Sequence, residues 1–214
     1  MKQDVKHQYI SFSPSNRKGR RKLIDNPYGY SNYMIRKQFF KLFGETFRIY
    51  TPTGALAFYA NLKAFKLKED IRVYSDESRT REILAIKARN IIDIAATYDV
   101  IDSMSGQKIG AFKRKGLKSI IKDEWLIFDA QDQQIGMIQE DSWKLALLRR
   151  YITNLIPQKF HGTVNGQPVF IFQQHFNPII QKIDLDYSID TNGLLDRRLG
   201  IAAAVLMCGI EGRQ

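Results

Sequence analysis

Apolar and polar residues alternate with period two along most of this chain, and turn residues break the alternation at regular intervals. Phe47-Arg48-Ile49-Tyr50 alternates, Thr51-Pro52-Thr53-Gly54 turns, and Ala55-Leu56-Ala57-Phe58 alternates again. That is the signature of a β-hairpin. It recurs at 71–74 and 83–86 about the turn 75–78, at 98–102 and 109–112 about 103–106, and at 125–129 and 135–138 about 130–133. A shorter copy joins 162–164 to 169–172 through Asn165-Gly166. Aligned on Ile49, Val73, Val100 and Ile127, the copies stand 24, 27 and 27 residues apart, a spacing that marks a repeated supersecondary unit. Linking strands are expected at 36–40, 63–67 and 113–117, giving ten to twelve strands in all. A run of short antiparallel strands exposes edges, and closing into a barrel removes them.

Two segments break the pattern. Residues 199–210, LGIAAAVLMCGI, are apolar on every side. A helix of that kind must be buried. Its twelve residues reach only about 18 Å, against about 30 Å of bilayer core. The expected fold is therefore mainly β: a closed antiparallel barrel of about twelve strands wrapped around a central hydrophobic C-terminal helix at about 196–211. Leu199, Ala203, Leu206 and Cys208 would be core residues of that helix. One further helix is expected on the surface. Asp141 or Ser142 would cap it, Trp143, Leu147 and Tyr151 recur at i+4, and Pro157 would end it.

Charge adds a basic excess to this picture. The net charge is +11, and residues 1–46 alone carry ten Lys/Arg against three acids. Such an excess implies an anionic partner: phospholipid headgroups, nucleic acid or an acidic protein. Residues 1–32 read as a flexible basic arm ahead of a barrel domain at 33–214. The arm's block is Arg17, Lys18, Arg20, Arg21 and Lys22. It would lie on an anionic surface, or else be a solvated run of charge. A second basic stretch holds Lys108, Lys113, Arg114, Lys115, Lys118 and Lys122, interleaved with Phe112, Leu117, Ile120 and Ile121. It would dip into a lipid interface or stack on bases, or else be an edge strand kept from pairing by its lysines.

Catalytic motifs are absent from the sequence: there is no G-x-S-x-G, P-loop, G-x-G-x-x-G or H-E-x-x-H. His7, His161 and His175 have no ligand spacing, and one cysteine, Cys208, allows neither an internal disulfide nor a multi-cysteine metal site. The expectation is a protein that is not an enzyme and needs no cofactor. Its compartment is expected to be cytoplasmic, with peripheral contact to membrane, because the chain begins without an apolar signal core.

The stretch KQFFKLFGETFRIYTPTG at 37–54 resembles the opening of LURP-one-related proteins, which are grouped with the phospholipid scramblases and the Tubby C-terminal domain. The Y-x-V-x-D-x-x-x-G hairpin at 98–106, Phe176-Asn177-Pro178 and the terminal apolar helix fit the same group, and the likeness runs from Tyr33 to Ile210. The resemblance implies a twelve-stranded barrel around the helix. It also implies a lipid partner, since Tubby-type domains hold phosphoinositides on basic surface residues. Scramblases carry a proposed calcium segment before the final helix. The matching stretch here offers Asp186, Ser188, Asp190 and Asn192 as alternate oxygen ligands. Asp184, Asp186, Ser188 and Asp190 also read as the wet face of a strand, because Ile183, Leu185, Tyr187 and Ile189 alternate with them. Binding of nucleic acid and a protein-interaction scaffold are the alternatives to lipid.

Overall fold

The structure, a computed structural model, describes residues 26–40, 44–62, 70–89, 96–115, 124–141, 158–175 and 181–210. They form twelve strands: β1 (Asn32–Phe40), β2 (Gly44–Tyr50), β3 (Leu56–Leu62), β4 (Asp70–Tyr74), β5 (Glu82–Ala88), β6 (Thr97–Asp102), β7 (Lys108–Arg114), β8 (Glu124–Phe128), β9 (Gln134–Glu140), β10 (Lys159–Val164), β11 (Gln167–His175) and β12 (Gln181–Asp186). Each strand pairs antiparallel with its neighbours in the chain. The ring closes where β1 pairs with β12, Tyr33 opposite Leu185 and Ile35 opposite Ile183. The period-two pattern explains the sidedness. Tyr33, Ile35, Phe47, Ile49, Val73, Val100, Ile127 and Leu185 are all buried, while their sequence neighbours Arg36, Arg48, Arg72 and Asp99 are not.

All five hairpins share one device. The register slips by one residue at Ile49/Tyr50, Val73/Tyr74, Val100/Ile101, Ile127/Phe128 and Gly162/Thr163, always beside the turn. A bulge adds local twist and bends the strand, which a closed sheet needs at its rim. The turns are held by side chains. Asp102 Oδ1 accepts the N–H groups of Met104 and Ser105, Asp129 Oδ1 those of Gln131 and Gln133, and Asp76 Oδ1 that of Ser78. These are Asx turns, and they account for the Asp of the Y-x-V-x-D-x-x-x-G pattern. In the tightest hairpin, Asn165 and Gly166 both take positive φ, 50° and 76°, as a type I′ turn requires.

After β12 the chain turns through 187–196 into the one helix among the described residues, α1 (Arg197–Ile210). Asp196 is its N-cap: Oδ1 accepts the Arg198 N–H at 2.9 Å, and the main-chain oxygen accepts the Gly200 N–H at 3.1 Å. Every residue from Leu199 to Gly209 is buried. Small residues let neighbours approach. A Cβ on Gly200 would collide with the Tyr187 hydroxyl, and one on Gly209 would sit 2.6 Å from Leu62 of β3. Leu199 in turn fills the space beside Gly110 of β7. At the other end of α1, Lys37 of β1 donates to the Cys208 carbonyl at 2.9 Å.

Three expectations change in the structure. Lys113 and Arg114 complete β7 and do not open a linking strand at 113–117. The edge-strand reading of the Lys108–Lys122 stretch fails for its described part, because β7 pairs with β6 on one side and β8 on the other. The alternation at 183–189 ends as a strand at Asp186. There the Ser188 N–H folds back onto Asp186 Oδ1 and the Tyr187 N–H pairs with Ser31. The expected surface helix at 142–157, the linking strand at 63–67, Phe176-Asn177-Pro178 and the arm residues 17–22 lie outside the described residues.

Candidate functional site

The described residues hold 16 Lys/Arg and 16 Asp/Glu, so the whole net charge of +11 falls on the remainder. Antiparallel neighbours make the chain cross between strands at alternate ends of the barrel. One end carries the hairpin turns and 187–196, with two Lys/Arg and six Asp/Glu. At the other end the strands break off at residues 40, 62, 88, 114, 140 and 175 and resume at 44, 70, 97, 124, 159 and 181. The intervals 41–43, 63–69, 90–95, 116–123, 142–157 and 176–180 carry nine Lys/Arg and three Asp/Glu. Twenty-one of their residues are large and apolar, against five in the connections of the hairpin end.

The residues named from sequence are scattered. Arg17, Lys18, Arg20, Arg21, Lys22, Lys118 and Lys122 lie outside the described residues. Lys108 faces Asp132 at 2.5 Å and Asp99 at 3.4 Å, and Arg89 joins the same two carboxylates. Lys115 faces Glu124 at 3.0 Å. Lys113 is exposed and Arg114 half-buried. So Lys108 and Lys115 meet acids brought by β6, β8 and the β8–β9 turn. Asp132 is held below the usual carboxylate range by its hydrogen bonds with Lys108 and Arg89.

In the acidic segment, Asp190 is buried and accepts the N–H groups of Leu194 and Leu195 at 2.8 and 3.2 Å. Asp186 holds Ser188, while Ser188 and Asn192 are exposed. These bonds shape the turn into α1. Among the described residues no three His, Cys, Asp or Glu gather as a metal ion would need. His161 lies 2.7 Å from Asp141 Oδ2, and His175 lies 2.6 Å from Asp184 Oδ2. Burial pushes the Cys208 thiol up to about 12, against the pull of Lys37.

Two arrangements escaped the sequence reading. Lys37 and Glu45 form a buried pair, 3.1 Å apart. Parity would have found them, since Lys37 continues the inward series Tyr33, Ile35 and Glu45 the series Phe47, Ile49. The second is a row on the outer wall. His175, Lys182, Arg36, Arg48 and Tyr59 stand directly opposite one another across β11, β12, β1, β2 and β3. Like charges directly opposed across strands are destabilising. Only the register of the closed ring brings these residues together, and no local sequence signal carries it.

The fold thus defines a closed twelve-strand antiparallel β-barrel with a C-terminal helix. Compared with known proteins, the chain matches no family model, no curated protein and no solved structure. Among the described residues, no helix is long and apolar enough to cross a membrane.

Proposed function

We propose that this protein is a non-enzymatic barrel that binds anionic phospholipid surfaces, phosphoinositide-like headgroups included, through basic segments gathered at one barrel end. The reading places α1 along the barrel axis as its filling. Contacts of α1 with β1, β3 and β7, from separate arcs of the ring, support that placement. It agrees with the resemblance to LURP-one-related proteins, scramblases and Tubby domains, and with a cytoplasmic protein at the membrane periphery.

The carrying observation is the charge partition. The described residues carry equal numbers of basic and acidic side chains, and the intervals between strand ends opposite the hairpins hold, in sequence, nine Lys/Arg against three Asp/Glu with many large apolar residues. Basic and apolar residues together are what an interfacial surface requires. Each Lys or Arg near an anionic leaflet contributes about 1 kcal/mol. Replacing Lys63, Lys66 and Lys68 with Gln should therefore weaken binding to phosphatidylserine-containing vesicles about a hundredfold. Replacing Arg79 and Arg81, at the hairpin end, should leave it unchanged. Replacing Arg17 to Lys22 tests the basic N-terminal block separately. Co-sedimentation at low and high salt reads all three. Equal recovery with neutral and anionic vesicles would end the proposal. A mobility shift with random nucleic acid at physiological salt would favour the alternative.

A further inference from the structure

Arg36 and Lys182 occupy the middle of the outer-wall row, directly opposite each other on β1 and β12. Their neighbours along the row are already engaged. Arg48 Nε donates to Glu77 at 2.8 Å, and His175 pairs with Asp184. Neither Arg36 nor Lys182 makes an ion pair among the described residues. Asp184 lies diagonal to Arg36 in the register, with its carboxylate taken by His175. Arg36 is also held in place: its guanidinium carbon lies 5.2 Å from the centroid of the Tyr50 ring. Its Nε is shut off from solvent with no hydrogen-bond acceptor. A solvent-shielded donor without an acceptor calls for a missing partner, and two opposed cations call for an anion.

We infer that Arg36 and Lys182 form a binding site for a phosphate group, deepening the membrane reading on which it rests. A planar guanidinium grips two oxygens of a phosphate at once, and an ammonium adds a point charge beside it. A phosphomonoester, carrying close to two negative charges, turns the repulsion across the β1–β12 seam into attraction. The Tyr50 ring fixes the fork before the ligand arrives. Lys182 stands near the start of β12, at the end of the strand away from the hairpin turns, on the side of the proposed lipid contact.

The test uses the full chain, with Arg36→Gln and Lys182→Gln against the control Lys159→Gln. Lys159 lies near Asp141 on another part of the wall, so the control removes the same charge. In phosphate-free buffer Arg36→Gln and Lys182→Gln should melt no lower than the wild type. Inorganic phosphate should raise the melting temperature of the wild type and the control. Its affinity should fall about tenfold or more in the two site variants. An equal response in all four proteins, or none in the wild type, overturns the site. Vesicles containing a phosphatidylinositol phosphate or phosphatidylserine, matched in surface charge, identify the source of the phosphate. Selective loss of the phosphomonoester vesicles in the site variants makes it a headgroup. Unchanged vesicle binding with lost phosphate response makes it a soluble phosphate. If no anionic vesicle binds the wild type, the membrane reading fails and the phosphate titration alone still judges the site.

Discussion

At its N-terminus α1 is held by Arg198, which bridges Asp196 and Asp102 with about a third of its side chain in solvent. At its C-terminus it is held by Lys37, which joins Glu45 and the Cys208 carbonyl almost beyond the reach of water. Both fasteners use a cation and a carboxylate, and the lysine also meets the negative end of the helix dipole. Their energetics differ in kind. A solvent-exposed pair contributes about 0.2–1 kcal/mol and weakens with salt. A buried pair yields little net stability, because desolvation offsets its attraction, yet losing one partner strands the other and costs about 3–5 kcal/mol. The wet end is forgiving, and the dry end demands both members or neither.

The largest disturbance strikes the helix between the two fasteners. Ala203 is 1 % exposed, so Ala203→Asp buries a carboxylate with no partner and should cost more than about 4 kcal/mol. Loss of folded protein by far-UV circular dichroism is expected, and a native melt of this variant would show that the helix is not the core. Next comes Glu45→Gln, expected to cost about 3–5 kcal/mol in guanidinium denaturation. The double replacement Lys37→Met with Glu45→Leu should recover most of that loss. If the double variant is as damaged as the single one, the dry end is not a coupled pair.

Arg198→Gln should cost about 1 kcal/mol or less, and high salt should shrink the difference. Its partner sharpens the contrast through pH. Burial pushes the Asp102 carboxyl up, but the Ser105 N–H, Arg198 and the Met104 N–H outweigh it and hold it below its ordinary value. A depressed carboxyl stabilises the fold above the unfolded value of about 4, and that contribution is lost as pH falls below it. The gap between wild type and Asp102→Asn in urea should therefore hold from neutral pH down to about pH 4 and narrow progressively below it. A gap that persists would rule out the charged form as its source. The smallest expected effect is at Cys208. With its pKa raised to about 12 by burial, the thiol should react with a disulfide reagent only as fast as the protein opens. Fast labelling of the native state would place α1 nearer to solvent.

Hairpins and helix were legible because their signals are local: period two, turn residues at fixed intervals, and twelve apolar residues without a polar face. Asn165-Gly166 announced its own turn. The bulges were not legible, since a one-residue slip such as Ile49/Tyr50 leaves the hydrophobic alternation nearly intact on both sides. Lys108 and Lys115 looked like free cations because sequence does not show which acids the next strands bring. Lys37 and Glu45 were hidden by the habit of reading charge as surface, although their parity pointed inward. The Arg36–Lys182 pair lay beyond any local reading, because its members meet only when the first and last strands join.

That seam also sets a timetable. Leu185 trails Tyr33 by 152 residues, so on a ribosome adding about 5–20 residues per second β1 waits roughly 8–30 seconds for its second neighbour. During that interval one flank of the newborn sheet offers bare amides and carbonyls to any passing chain. A population stalled before β12 would then clump through its first strand, whereas the finished ring offers no such foothold.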